Sequence, residues 1–136
     1  MIINIDPHGG IPIYRQVIGQ IKRQIMTGQL PEGEQLESVS VLSKRINVNP
    51  MTISKAYSYM VEEGLLERRS GIGVFVNKIR SDTRNRVKTT MLSEAINAAV
   101  TLALQMDISE SEATRMFAEH FSKLDSRPQQ VEGNKR

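Results

Sequence analysis

Cysteine and tryptophan are both absent from this 136-residue chain. Without a thiol there can be no disulfide, thiolate zinc finger, iron–sulfur cluster or cysteine nucleophile. Aromatic side chains are scarce, three tyrosines and three phenylalanines, too few for the base-stacking platforms of single-strand binders. No apolar run reaches the roughly 18–20 residues that span a bilayer. The first residues lack the charged and apolar blocks of a signal peptide, so a soluble cytoplasmic protein is expected. Nucleophile elbows and phosphate-cradling glycine loops are missing as well. The two histidines, His8 and His120, lie in separate regions, and Gly9-Gly10 and Gly71-Ile72-Gly73 are too short for a dinucleotide fingerprint. The expectation is a non-enzyme without cofactor or metal.

What is present is an ordinary globular composition, 39% hydrophobic and 24% charged. The net charge of +3 is unevenly spread: residues 1–79 carry +2, residues 80–88 carry +3 and residues 89–136 carry −2. A basic front and an acidic rear permit nucleic acid at one end and another partner at the other. The chain divides accordingly into 1–79 with mixed elements, a charged connector at 80–88, a helical region at 89–125 and a polar, aperiodic tail at 126–136, expected to be disordered.

Ile13, Val17, Ile21 and Ile25 recur every fourth residue with Ile18 beside them, one apolar stripe of a first helix that Thr27-Gly28 ends. Pro31-Glu32-Gly33 forms the next turn. Ser38 is an N-cap for a second, shorter helix presenting Val41, Leu42 and Ile46 on one side, and Asn47 is a residue type that tolerates a left-handed stop. Asn49-Pro50 starts a third helix, with proline at the first position where its missing N–H does no harm. Ile53, Ala56, Tyr57 and Met60 share its inward face; Met51, Ser54, Lys55 and Ser58 share another. Two helices joined by a few residues, the second polar outside, have the form of a helix-turn-helix. Leu65–Arg69 and Val74–Val76 follow as strand candidates around Ser70-Gly71-Ile72-Gly73, a hairpin placed as a wing. Arg68, Arg69, Ser70 and the glycine tip suit close approach to phosphate.

The stretch from Gly28 to Val76, with "VNPMT", "KAY" and "EEGLLERRSGIGVFV", resembles the DNA-binding domain of the GntR family of bacterial transcription regulators. The opening "IDPHGGIPIYRQVIGQIK" and the short helical rear part look like its YtrA subfamily, so that the resemblance covers roughly residues 2–125. It implies a winged helix-turn-helix, mainly α with a small β wing, and a homodimeric repressor of a transporter-type operon. It also implies DNA contact by Ser38, Ser40, Asn49, Pro50, Met51, Thr52, Ser54 and Lys55 of the helix pair, together with Arg68, Arg69, Ser70 and Gly71 of the wing. Three positions depart from the family pattern: Glu37 stands for a proline, Ser40 for an arginine and Met51 for a frequent asparagine. An added carboxylate and a lost guanidinium both oppose phosphate binding. They motivate an alternative, a winged helix that has lost DNA affinity and serves as a protein-interaction module.

In the rear region Leu92, Ile96, Ala99, Val100, Ala103 and Leu104 make a helix too apolar to stand alone in water. Ser109-Glu110-Ser111-Glu112 matches a capping box with Ile108 and Ala113 at the staple positions. The helix that follows places Ala113, Met116, Phe117, His120, Phe121 and Leu124 on one stripe. Two such helices suit a twofold dimer better than a ligand cavity; the expected interface is Leu92, Ile96, Val100, Ala113, Met116, Phe117, His120, Phe121 and Leu124. A metal at His120 would need further ligands at helical spacing, and none lies within the stripe. The Arg80, Arg84, Arg86 and Lys88 cluster fits a solvated connector and a phosphate contact equally. Expected partners are double-stranded operator DNA with an inverted repeat, a second copy of the chain and an effector that the residues do not identify, with no membrane.

Overall fold

Local sequence signals set the first three helices. The computed structural model describes residues 1–128. Helix α1, Ile13–Met26, buries Val17, Ile18, Ile21 and Ile25, the stripe that the four-residue recurrence predicts. Helix α2, Val39–Ile46, starts where the Ser38 hydroxyl accepts from the Val41 amide, 3.1 Å away, and stops at Asn47, which is left-handed at φ 55°. Helix α3, Pro50–Glu62, starts where the Asn49 side chain accepts from the Met51 amide at 2.8 Å. Its inward residues Ile53, Ala56, Tyr57 and Met60 are completely buried. One detail of the α2 reading is corrected: Val41 is exposed, and Leu42 and Ser43 are the residues this helix buries.

Strands β1, Leu66–Arg69, and β2, Gly73–Val76, pair antiparallel, with Leu66 opposite Val76 and Arg69 opposite Gly73. The segment after the Pro31–Gly33 turn adds a third edge to this hairpin, which periodicity does not reveal. Gly33 and Leu36 donate to the carbonyls of Val76 and Val74, and Val76 donates back to Glu34, each at 2.8 Å. The hairpin is thus braced on one side before it reaches its tip.

A second tie is built from three glutamines of α1. Gln24, Gln20 and Gln16 accept from the amides of Ile2, Asn4 and Asp6 and donate back to the same residues' carbonyls, at 2.6 to 3.2 Å. Four helical residues rise about 6 Å, close to the advance of two residues of extended chain, so the two repeats stay in register. The zipper lays the N-terminal segment along α1 and buries Ile3.

Two compact units are distinguished, Met1–Thr89 and the part beginning at Thr90. Helix α4, Ser81–Gln105, belongs to both. Residues 81–88, expected as a connector, are therefore the first turns of a helix, and Val87 is buried within the first unit. Helix α5, Glu110–Leu124, starts at Ser109, whose hydroxyl accepts from the Glu112 amide at 3.1 Å. Most of the expected tail, 129–136, lies outside the described residues; Ser126–Pro128 continue past α5 without regular structure, and Arg127 pairs with Asp125 at 2.8 Å.

Candidate nucleic-acid interface

The buried stripe of α3 dictates what its other side can be. With Ile53, Ala56, Tyr57 and Met60 turned inward, Met51, Ser54, Lys55 and Ser58 are turned to solvent, Met51 being 79% exposed. Thr52 is half-buried at the edge of that face, and Asn49 and Pro50 are exposed at its start. Ser38 and Ser40 are exposed as well. Between α2 and the start of α3 lies a shallow depression of about 630 Å³ that includes Ser40, Lys44, Asn49 and Pro50 in its lining. Hydroxyl, amide and ammonium donors of that kind suit a phosphate oxygen.

The wing presents Ser70 and Gly71 at an exposed tip, closed by the Ile72 amide donating to the Arg69 carbonyl at 2.9 Å. Gly71 has φ 74°, a left-handed conformation that glycine adopts without strain. Gly73, at φ 150°, is likewise in a conformation that L side chains rarely adopt. A Cβ there would lie 2.6 Å from the Gln35 amide nitrogen, which donates to the Ile72 carbonyl at 3.1 Å and braces the tip. The two expected wing arginines are both held. Arg68 donates to the Ser58 hydroxyl on α3 at 2.7 Å, and Arg69 lies 4.0 Å over the Phe75 ring with Glu67 at 3.3 Å. The Arg68–Ser58 hydrogen bond therefore ties the wing to the outward face of α3.

Lys55 is exposed, but its ammonium is not loose: it lies 3.9 Å from the centre of the Tyr14 ring on α1. Behind the helix pair, Tyr57 donates to the Glu37 carbonyl at 2.7 Å. Burial and, after it, the Glu37 charge push the Tyr57 phenol far above its ordinary range, so the residue is a neutral core donor. Tyr14, Ser58 and Gln35 are contributors that the pattern of the sequence does not single out as site residues. Only the place of Ser58 on the outward face of α3 hinted at a role.

In the rear part the expected interface residues are solvent-facing: Leu92, Ile96, Val100, Met116, Phe117, Phe121 and Leu124 are all exposed, Phe117 at 53% and Leu124 at 81%. His120 is exposed and Ala113 half-buried. The Phe117 and Phe121 rings lie tilted at 39° with centres 6.0 Å apart. Among the described residues from Thr90 onward none is buried. No helix of the described residues is long and apolar enough to cross a membrane.

Residues 13–76 match the gntR family of bacterial regulatory proteins. The chain is also 35% identical over 99 residues to the HTH-type transcriptional repressor YtrA of Bacillus subtilis (strain 168), covering 73% of this chain and 76% of that relative. This chain belongs to the GntR family. Within the family it is YtrA-like, a DNA-binding transcription regulator with a winged helix-turn-helix. Its front part is 40% identical over 76 residues to the HTH-type transcriptional repressor NagR of the same organism, which covers 56% of this chain and 31% of that relative. The fold matches a GntR family transcriptional regulator from Listeria monocytogenes with a TM-score of 0.69 at 21% identity, over 89% of this chain and all of that one.

The departures from the GntR pattern can now be judged on geometry. Glu37, expected to repel phosphate, accepts three contacts from the Arg45 guanidinium at 2.6 to 3.1 Å. Those hydrogen bonds hold its carboxyl below the ordinary carboxylate range. Arg45 also donates to the Met1 carbonyl at 3.0 Å, so the ion pair anchors the N-terminal segment to α2. The added charge is locally compensated. Ser40 leaves its position without a cation, and Met51 puts a largely exposed apolar side chain near the start of α3.

Proposed function

We propose that this GntR-family chain is a homodimeric repressor that reads an inverted-repeat operator. The α3 face of Met51, Thr52, Ser54 and Lys55 enters the major groove, and the wing residues Arg68, Arg69, Ser70 and Gly71 meet the backbone beside it. The observation that carries the reading is the outward face of α3, which is polar and bears Lys55 while Arg68 is tied to it through Ser58. Ser38, Ser40, Asn49 and Pro50 hold the start of the helix pair against phosphate, where they position the protein and carry no sequence information. Met51 is placed to touch a thymine methyl group.

In this reading the labour is divided along the chain. Residues 1–79 form the DNA-binding head; 80–88 link it to the rear helices, and 89–125 form the dimer. A rear part without one buried residue among the described residues gains its apolar burial from a second copy. Leu92, Ile96, Val100, Ala113, Met116, Phe117, His120, Phe121 and Leu124 line that interface. The designation of YtrA and NagR as repressors supports repression, the YtrA-like resemblance points to a transporter-type operon, and DNA binding supports a cytoplasmic location.

Capture of genomic fragments followed by footprinting tests the reading, with the bound duplex titrated at several salt concentrations. Protection of an inverted repeat is expected, with log affinity falling linearly in log salt by about 0.9 per phosphate contact. Absence of salt-dependent duplex binding would overturn the reading and favour the protein-interaction module that Ser40 motivates.

A further inference from the structure

Two separated motifs of this sequence meet in space. Pro12-Ile13-Tyr14 opens α1 and Lys55-Ala56-Tyr57 lies in α3, and the Lys55 ammonium sits 3.9 Å above the Tyr14 ring. We propose that Tyr14 is a positioning residue for operator binding: its ring holds the ammonium of the exposed Lys55 in one place, on the face that meets DNA. This rests on the reading of Lys55 as a DNA contact.

The physical grounds are the entropy and the geometry of lysine. A free lysine has four rotatable bonds and correspondingly large rotamer entropy to lose on binding. Ordering it beforehand raises affinity without adding a contact. A ring can do this without competing for the ligand, because the π face attracts the charge but takes none of the three N–H donors in a strong hydrogen bond. A carboxylate in the same place would satisfy those donors and neutralise the charge, as Glu37 does to Arg45. Tyr14 itself is half-buried on α1, which packs against α3, so the ring is a fixed platform for the mobile side chain.

The test uses the full chain and the tightest duplex selected from a randomised pool. Three single variants, Lys55→Ala, Tyr14→Phe and Tyr14→Leu, are compared with the double variant Tyr14→Leu/Lys55→Ala. Tyr14→Phe, which keeps the ring, should bind as the wild type does. Tyr14→Leu should weaken binding about two- to fivefold, the scale of an exposed cation–π contact, and should have no further effect once Lys55 is alanine. In the free protein the Lys55 ε-methylene protons should be shifted upfield by the ring in the wild type and in Tyr14→Phe, and not in Tyr14→Leu. That NMR signature separates loss of the platform from loss of the fold, and it does not depend on DNA. If Lys55→Ala binds unchanged, the reading of Lys55 as a contact fails. If Lys55→Ala weakens binding while Tyr14→Leu binds as well as or better than the wild type, Lys55 remains a contact and the positioning role is overturned. A Tyr14→Phe variant as weak as Tyr14→Leu would show that the hydroxyl acts and not the ring. Equal loss from Tyr14→Leu with and without Lys55, or an unshifted Lys55 signal in the wild type, would also overturn it.

Discussion

Tyr57 and Glu37 show how single side chains behind the helix pair hold it in shape. The Tyr57 hydroxyl donates to the Glu37 carbonyl at the entrance of α2, so removing it strands an acceptor in a part-buried place. Tyr57→Phe should lower stability by about 1 kcal/mol, read from chemical denaturation with an unchanged slope, and leave duplex affinity intact. The Glu37 side chain acts differently, through charge. Its carboxyl ionises more readily in the folded protein than at its ordinary value of 4.5 because Arg45 hydrogen-bonds to the charged form. The contribution of the pair is therefore complete above that value and lost as pH falls through the lower, folded-state value. The pair is partly solvent-exposed, at 40% for Arg45 and 29% for Glu37, and screening limits it to about 1 kcal/mol or less. Glu37→Gln should melt slightly below the wild type at neutral pH, and the gap should close in melts run at progressively more acid pH. A gap that persists unchanged at the acid end would show that the pair is not ionic.

At the scale of elements, the wing and the glutamine zipper give opposite expectations. Gly71 lies at the hairpin tip with a positive φ and open space around it. Gly71→Val strains only this turn, by about 1–2 kcal/mol. It should reduce duplex affinity by about tenfold, within the roughly 1–3 kcal/mol of a lost contact, while the head still unfolds cooperatively. Gly71→Asn, which tolerates the left-handed region better, should fall between the two. A variant that melts far lower yet binds normally when cold would make Gly71 a folding requirement alone. In the zipper, Gln20 makes two hydrogen bonds to Asn4, and these are exposed. Gln20→Leu should speed hydrogen exchange at the Asn4 amide and cost about 1 kcal/mol, with the α3 surface and its DNA affinity unchanged.

For the whole molecule the decisive feature is the contrast between its two units. The first has a core of fully buried residues such as Val17, Ile21, Leu42, Ile53 and Leu65; the described part of the second has none. Two heads joined through the rear helices would turn the second half-site contact into an intramolecular event, so affinity for an inverted repeat should far exceed that for a half-site. Phe117→Glu would place an unpaired charge in the interface, where burial is costly. Sedimentation should report a monomer, or melting should report an unfolded rear part, and band shifts should show the inverted-repeat advantage gone. A variant that remains dimeric with wild-type affinity would move the search for dimer contacts to α1.

The helices α1 to α3 and their ends were readable in the sequence because the forces that set them are local. A four-residue apolar recurrence, a serine or asparagine cap and an asparagine stop each act within one or two turns. The wing was readable for the same reason, from two short β-rich runs around a glycine turn. The start of α4 was not: residues 81–88 are almost all polar, and the one apolar side chain buried there, Val87, makes no periodicity by itself. The outward face of α3 followed from its inward one. What each residue on that face is held by depended on partners distant in the chain, Tyr14 under Lys55, Ser58 beside Arg68 and Gln35 behind the wing tip. The same holds for Arg45 against Glu37, where the sequence displayed an unfavourable carboxylate and the fold supplied its counter-ion. Hydrophobic pattern and capping act on near neighbours, so sequence alone determined that α1 to α3 and the wing form and which side α1 and α3 bury. Side-chain ion pairs, ring contacts and amide braces form only after distant segments have been brought together, so the tertiary structure alone decided how the candidate DNA surface is charged and how firmly it is held.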